Sequence, residues 1–397
     1  MKIVVVLDDA ITAGGGFSQA LNAIIQIDRV SREKFSYSVL TPHQENIEIL
    51  KNIGIQAETF SPSILDNIIS ILANNRVTQR LLKFLKLIGP FERLLVRMGC
   101  DLVYFINTSS RVASLQEINF IMTIMDDCHR DFPEFPEVRC YGEFSRREFI
   151  NSFLPRAFLT IVDSEELAIL LHQRYGVDPE RILTMPFSPS PIITSSIQDD
   201  FQAILSIYKL KPGFFFYPAQ FWPHKNHIRI IKAISLLRAQ GENVRAVFVG
   251  ADKGNLDHVS AEINKSGLQN QIFLLGFVPP SHLHALYASC CTVVMPTYFG
   301  PTNLPPLEAW QAKKPLIYSK HLASHCNDAA LLVDPDDEHS LAKAMLKSKE
   351  LDIQINLVEH GNKRISQLAQ QRDGAEFELE RRLKLFQKRR FLWCQSR

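Results

Sequence analysis

Two stretches of this chain combine a charged residue, a tight loop and the start of a helix, the arrangement that handles anions and hydroxyl groups. In "GFFFYPAQFWPHKNHIRIIKAISLL" an apolar run ends at Tyr217 and a loop carries Gln220, Trp222 and Pro223. Lys225 then stands where a helical pattern begins. A cation at that end opposes the helix macrodipole, whose N-terminus is the positive pole. Such a placement makes sense if an anion such as a diphosphate lies between the two; a solvated, harmless lysine is the plain alternative. In "TYFGPTNLPPLEAW", Gly300 and Pro301 give a turn and Asn303 is placed to cap the next helix. Pro305 and Pro306 lack N–H groups that a first helical turn leaves unpaired anyway. The amides of Thr302, Asn303 and Leu304 therefore stay available to a phosphate or sugar oxygen. Glu308 follows, where a carboxylate suits the dipole and could also accept both hydroxyls of a ribose diol.

The first half offers two further candidates. "DDAITAGGGFSQALNAI" puts Gly14, Gly15 and Gly16 between a strand and a helix, where a ligand can approach the backbone and an anion is favoured. The pattern is not GxGxxG, and no acidic residue closes the second strand to hold a ribose, so a classical dinucleotide site is disfavoured. In "TIMDDCHRDFPEFPEV" a strand ends at Met125 and delivers Asp126, Asp127, His129, Arg130 and Asp131. His129 could donate to a substrate oxygen or cap local backbone. Asp126 and Asp127 cannot easily share one metal ion, because consecutive strand residues point to opposite faces.

The elements that must position these residues form an alternating series. Six apolar runs precede residue 187: "KIVVVLD", "FSYSVLT", "DLVYFI", "FIMTIMD", "FLTIVD" and "RILTMPF". Six more follow: "GFFFYP", "RAVFVG", "QIFLLGF", "CTVVMP", "PLIYS" and "ALLVDP". Helical patterns separate them, which is the signature of an α/β protein with parallel sheets covered on both faces. The Ser- and Pro-rich Phe187–Phe201 reads as a linker. The expectation is two doubly wound, Rossmann-like domains facing a cleft, residues 1–190 and 191–375, with a basic helical tail at 376–397 that could cross back to the first domain.

Bulk properties narrow the class. At 397 residues, 46% apolar and 22% charged, the chain has material for two cored domains. A net charge of +2 gives no case for nucleic acid. Seven scattered cysteines without CxxC spacing suggest reduced thiols in the cytoplasm. The opening apolar run meets Asp8 and Asp9 too soon for a signal peptide, and no run nears the roughly 20 residues of a membrane span. Residues 64–99 mix Leu and Ile with Arg76, Arg80, Lys83, Lys86, Arg93 and Arg97. With the basic tail they leave peripheral contact with the inner face of a membrane as an open expectation beside ordinary packing.

The order of several blocks resembles the donor domain of the GT-B retaining glycosyltransferases of family four. They are "FWPHKNHIRIIKAI", "FVGADKGN", "IFLLGFVPPSHLHALYASC", "VVMPTYFGPTNLPPLEAWQAKKPLIYS" and "DAALLVDPDDEHSLAKAM". The first half matches more thinly, through the glycine loop, "IMDDCHRDFPEFPE" and "TIVDSEELAILLHQRYGVDPERI". The resemblance implies a glycosyltransferase moving a sugar, with retention, from a nucleotide-sugar to a glycan or lipid-linked acceptor, as in cell-surface polysaccharide or lipopolysaccharide synthesis. Lys225 would bind the donor diphosphate, Asn303 and Leu304 the diphosphate and sugar, and Glu308 the ribose. Gly15 and Gly16 would approach the phosphates; Gln220 and Thr302 complete the expected donor set, and Lys225, His129 and Asp126 the catalytic one. No metal or other cofactor is expected. Gln220 stands where the family commonly has Arg, Gly300 where it has a second Glu, and Met125 where it often has His. Those departures leave the donor open and motivate the alternative of a non-catalytic nucleotide-sugar-binding subunit of a glycan assembly complex.

Overall fold

In a computed structural model, residues 1–10, 15–31, 34–74, 78, 84, 87–189, 201–300 and 303–392 are described. The chain divides into two compact units, the first built from Met1–His129, Gly142–Pro186 and Gln371–Arg397, the second from Arg130–Tyr141 and Phe187–Gln370. The units change at Pro186/Phe187, at the start of the Ser- and Pro-rich stretch Phe187–Phe201 and ahead of the expected boundary at 190/191; residues 190–200 lie outside the described residues. The excursion Arg130–Tyr141 was not expected.

The first unit holds seven parallel strands in the order β3-β2-β1-β4-β5-β6-β7. They are β1 Lys2–Val6, β2 Ser36–Thr41, β3 Ala57–Thr59, β4 Leu102–Phe105, β5 Asn119–Ile124, β6 Leu159–Val162 and β7 Ile182–Thr184. Successive residues of β1 feed opposite faces: Ile3 and Val5 join one core cluster, Val4 and Val6 another. Both faces are therefore covered, and the strand reads as a continuous apolar run. The second unit holds six parallel strands in the order β10-β9-β8-β11-β12-β13. These are β8 Phe215–Pro218, β9 Ala246–Val249, β10 Ile272–Leu274, β11 Thr292–Met295, β12 Leu316–Ser319 and β13 Leu331–Val333.

A 40-residue helix, Leu351–Arg390, closes the described chain. Up to Gln370 it belongs to the second unit, where Gly361 lets it lie against Trp310; a Cβ there would stand 2.6 Å from the indole. From Gln371 it belongs to the first unit. There Ala375, Leu379, Leu383 and Phe386 enter the core beside β1, and Lys34 pairs with Glu380 at 2.7 Å. The tail expected at 376–397 is thus the end of this helix, with 393–397 outside the described residues. Of the basic stretch 64–99, Ile64–Asn74 and Pro90–Arg97 are helical; Arg76, Arg80, Lys83 and Lys86 lie outside the described residues. No helix among the described residues is long and apolar enough to cross a membrane.

Candidate functional site

In the second sheet the strand order reverses between β8 and β11, the position from which open α/β sheets present ligand-binding loops. The loop after β8 is pinned by Gly250 at the end of β9. A Cβ there would stand 2.3 Å from the Ala219 carbonyl oxygen, so only glycine admits this approach. Phe221 N–H then donates to Ala251 O at 3.0 Å. Beyond it Pro223–Lys225 makes one 3-10 turn, and Asn226 enters the left-handed region (φ 58) to start the helix His227–Ala239. Asn226 Nδ2 locks that turn by donating to Pro296 O at 3.0 Å and Pro335 O at 2.8 Å. Tyr217 O–H, at the end of β8, donates to Lys225 O at 2.7 Å. Behind the loop His227 is fully buried, its ring 4.6 Å from that of Phe221, and burial pushes its pKa down to about 3.

The loop after β11 meets the first one directly. Lys225 Nζ donates to Asn303 Oδ1 at 3.1 Å. Asn303 Nδ2 in turn donates to Phe299 O at 3.2 Å and Tyr318 Oη at 2.8 Å. Asn303 occupies the N-cap of the helix Leu304–Gln311, yet its side chain makes no capping bond. The capping role expected from sequence is corrected here: the side chain is taken up by Lys225, Phe299 and Tyr318. The Asn303 and Leu304 amides donate to nothing among the described residues. Gly300 has φ 97, where any L side chain is strained.

Glu308 lies one turn into this helix and is 5% exposed. Tyr287 O–H donates to its Oε2 at 2.6 Å, and its other oxygen accepts nothing among the described residues. Burial raises its pKa to about 7 against that hydrogen bond, because an ionised carboxylate loses hydration there. A ligand donating two hydroxyl hydrogens would restore what burial removes. Gln220 accepts from Trp222 Nε1 at 3.2 Å. Thr302 lies outside the described residues.

In the first unit the expected residues have different surroundings. Gly15 and Gly16 start the helix Gly15–Ser31, and a Cβ on Gly16 would stand 3.1 Å from Asp9 Oδ2. The helix start therefore faces a carboxylate of the chain itself, whose pKa is raised by burial and then by neighbouring Asp8. Asp126 pairs with Arg147 at 2.9 Å. Asp127 turns the other way and accepts from Arg174 at 2.8 Å, Tyr175 O–H at 2.8 Å and Asn151 at 3.1 Å. His129 has no exposed surface, and its Nε2 lies 2.8 Å from Glu148 Oε1. The acidic pair thus diverges as strand geometry requires, and His129, expected to face substrate, is enclosed by protein.

Sequence reasoning singled out neither Tyr287, Tyr318 nor the His224–Glu137 pair described below. Tyr287 and Tyr318 sit in apolar runs and read as core, while Glu137 is too far along the chain from His224 to form a local pattern.

Two doubly wound parallel sheets of this order define the GT-B glycosyltransferase fold. The chain aligns with the structure of Anabaena Alr3699/HepE in complex with UDP and glucose over 97% of its length and 99% of that chain, with TM-score 0.72 and 15% identity. Residues 200–370 match the family of glycosyl transferases group 1. It is 27% identical over 216 residues to O-antigen chain mannosyltransferase B of Escherichia coli, a match covering 53% of this chain and 56% of that protein. It is 24% identical over 185 residues to O-antigen chain mannosyltransferase RfbU of Salmonella typhimurium, covering 43% and 52%. The chain thus spans about half the length of the curated relatives it matches.

Proposed function

We propose that this protein transfers a sugar, with retention of configuration, from a nucleotide-sugar to a glycan or lipid-linked acceptor in cell-surface polysaccharide synthesis of the O-antigen kind. The observation that carries the reading is the Lys225–Asn303 contact at 3.1 Å, which joins the two loops at the strand-order reversal. A diphosphate placed there would meet the Lys225 ammonium and the Asn303 and Leu304 amides, donors aimed where leaving-group charge develops. Glu308 would hold the nucleotide ribose. No metal is assigned a part. His129 and Asp126, each paired within the first unit, are assigned to fixing the segment after β5, and Gly15 and Gly16 to close packing of the Asp9 carboxylate.

Lys225→Ala and Glu308→Ala are each expected to cut transfer at least tenfold, about 1.4 kcal/mol of barrier. Unchanged turnover in both would sink the assignment. The rival reading, a non-catalytic nucleotide-sugar-binding subunit, is favoured by Gly300, whose φ of 97 disfavours the acid that the family resemblance implies at this position. Donor hydrolysis by the purified protein that Lys225→Ala abolishes would decide against it.

Contact with an anionic membrane face belongs to the same reading. Ile64, Leu65 and Phe84 are exposed by 78%, 55% and 84% within a stretch rich in Lys and Arg. The protein is expected to co-sediment with phosphatidylglycerol vesicles at low salt and to leave them at high salt; no sedimentation at low salt removes this part.

A further inference from the structure

The segment Arg130–Tyr141 leaves the first unit in sequence but is part of the second. Aromatic packing holds it there: Phe132 stacks on Phe299 at 5.6 Å, and Phe135 lies 5.2 Å from both Phe299 and Tyr298. Pro136 then starts a single helical turn, Pro136–Arg139, whose second residue is Glu137. Glu137 Oε1 accepts from the His224 backbone N–H at 3.0 Å and lies 2.5 Å from His224 Nδ1. Its side chain is 8% exposed, yet Oε2 is buried with no hydrogen-bond partner. Burial pushes this carboxyl up, but His224 more than offsets it and holds the pKa below the ordinary range. The chain therefore keeps a buried carboxylate oxygen with no donor, an arrangement that is costly unless something supplies one.

What supplies it follows from the surroundings. The His224 ring lies flat on Phe299 at 4.2 Å, and Phe299 O is held by Asn303, which also accepts from Lys225. Glu137 is thus joined through a closed circuit of contacts to the turn assigned to the donor diphosphate. A phosphate oxygen cannot satisfy Oε2, since both are anionic acceptors. A bound metal would need further ligands, and no group of three His, Cys, Asp or Glu side chains is gathered among the described residues. A nucleotide-sugar offers two remaining classes of donor, the N–H groups of its base and its hydroxyls, and the hydroxyls of the transferred sugar are the ones that directly adjoin the diphosphate. The adjoining Gly300 brings no side chain for that purpose.

We infer that Glu137 is a sugar-binding residue of this site, its buried Oε2 accepting a hydrogen bond from a hydroxyl of the transferred sugar. The inference rests on the nucleotide-sugar reading proposed above and names a specificity-determining contact within it. Glu137→Gln is the informative change. An amide oxygen can still serve His224, while the amide NH2 takes the place of Oε2 and offers a donor where an acceptor stood.

The experiment titrates native protein and Glu137→Gln with GDP, GDP-mannose, UDP and UDP-glucose by calorimetry. The expected result is a ten- to hundredfold weaker Kd for the sugar nucleotide that binds, with the Kd of its bare diphosphate changed less than twofold. Equal losses for both ligands would mean that Glu137 only supports the His224–Lys225 turn, and would overturn the inference. No change in either would mean that Oε2 takes water, with the same consequence. Failure of the native protein to bind any of the four would reject the underlying nucleotide-sugar reading, a result visible before any variant is made. Should Glu137→Gln not fold, deoxyfluoro analogues of the bound sugar nucleotide replace it, since fluorine cannot donate. One analogue binding the native protein at least tenfold more weakly supports the contact, and none doing so overturns it.

Discussion

Replacing Glu308 by Gln should change how the second unit responds to pH, in a direction fixed by burial. The native carboxyl titrates near 7 in the folded protein against an ordinary value of 4.5. A folded-state pKa raised in this way gives stability that is fully present below about 4.5 and is lost as pH rises through about 7. At about 1.4 kcal/mol per pH unit, the gap sets a ceiling of roughly 3 kcal/mol. Relaxation around Tyr287 reduces it, so a loss of about 1–3 kcal/mol between pH 5 and 8 is expected. In the Glu308→Gln variant the amide would keep an oxygen for the Tyr287 hydroxyl without a charge to bury, so that variant should show no such loss. The assay is urea unfolding followed by the fluorescence of the buried Trp310 at pH 5, 6, 7 and 8. Parallel pH profiles for native and variant would refute the reasoning. Ligand binding gives an independent check, because a ribose diol donating to Glu308 favours the ionised form. Nucleoside diphosphate binding near pH 6 should then release more protons from the native protein than from Glu308→Gln, the proton lost by the terminal phosphate being common to both, as measured by calorimetry in buffers of different ionisation enthalpy.

Two further substitutions probe the framework. Gly250→Ala forces a methyl group to 2.3 Å from the Ala219 carbonyl oxygen and should destabilise the second unit by about 1–3 kcal/mol; an unchanged melting midpoint would show that the loop yields freely. Arg174→Ala leaves the fully buried Asp127 carboxylate without its cation and should cost about 3–5 kcal/mol in urea unfolding, most of which a second change, Asp127→Asn, should return. Failure of the second change to help would place the loss in packing instead of charge.

The strands were legible because parallel strands covered on both faces are apolar throughout, and all six runs of the second unit became β8 to β13. β3 was missed because Ala57–Thr59 is a short, polar edge strand with no apolar run to read. Lys225 and Glu308 stood out because each follows a strand, a loop and a helix start. Three features had no local signature. Glu137 reaches His224 from a segment that crosses between units, and Asn303 gives its side chain to Lys225 and Tyr318 where a cap was expected. The third is the continuity of Leu351–Arg390, which is polar along much of its length and interrupted by Gly361 and Gly374. Gly361 is tolerated because Trp310 packs where a side chain would stand.

The way that helix is shared bears on the order in which the chain folds as it is made. The core beside β1 includes Ala375, Leu379, Leu383 and Phe386, and Phe386 also meets Phe158 at 4.9 Å. Until those residues leave the ribosome, one face of the first sheet has an uncovered apolar groove. Residues 187–370 need only the short Arg130–Tyr141 segment, already synthesised, to complete the second unit. At roughly 5–20 residues per second, the first unit waits about 10–40 s for its last element after Pro186 has been made. The usual N-terminal-first order is therefore expected to be reversed, with the second unit completing its core before the first.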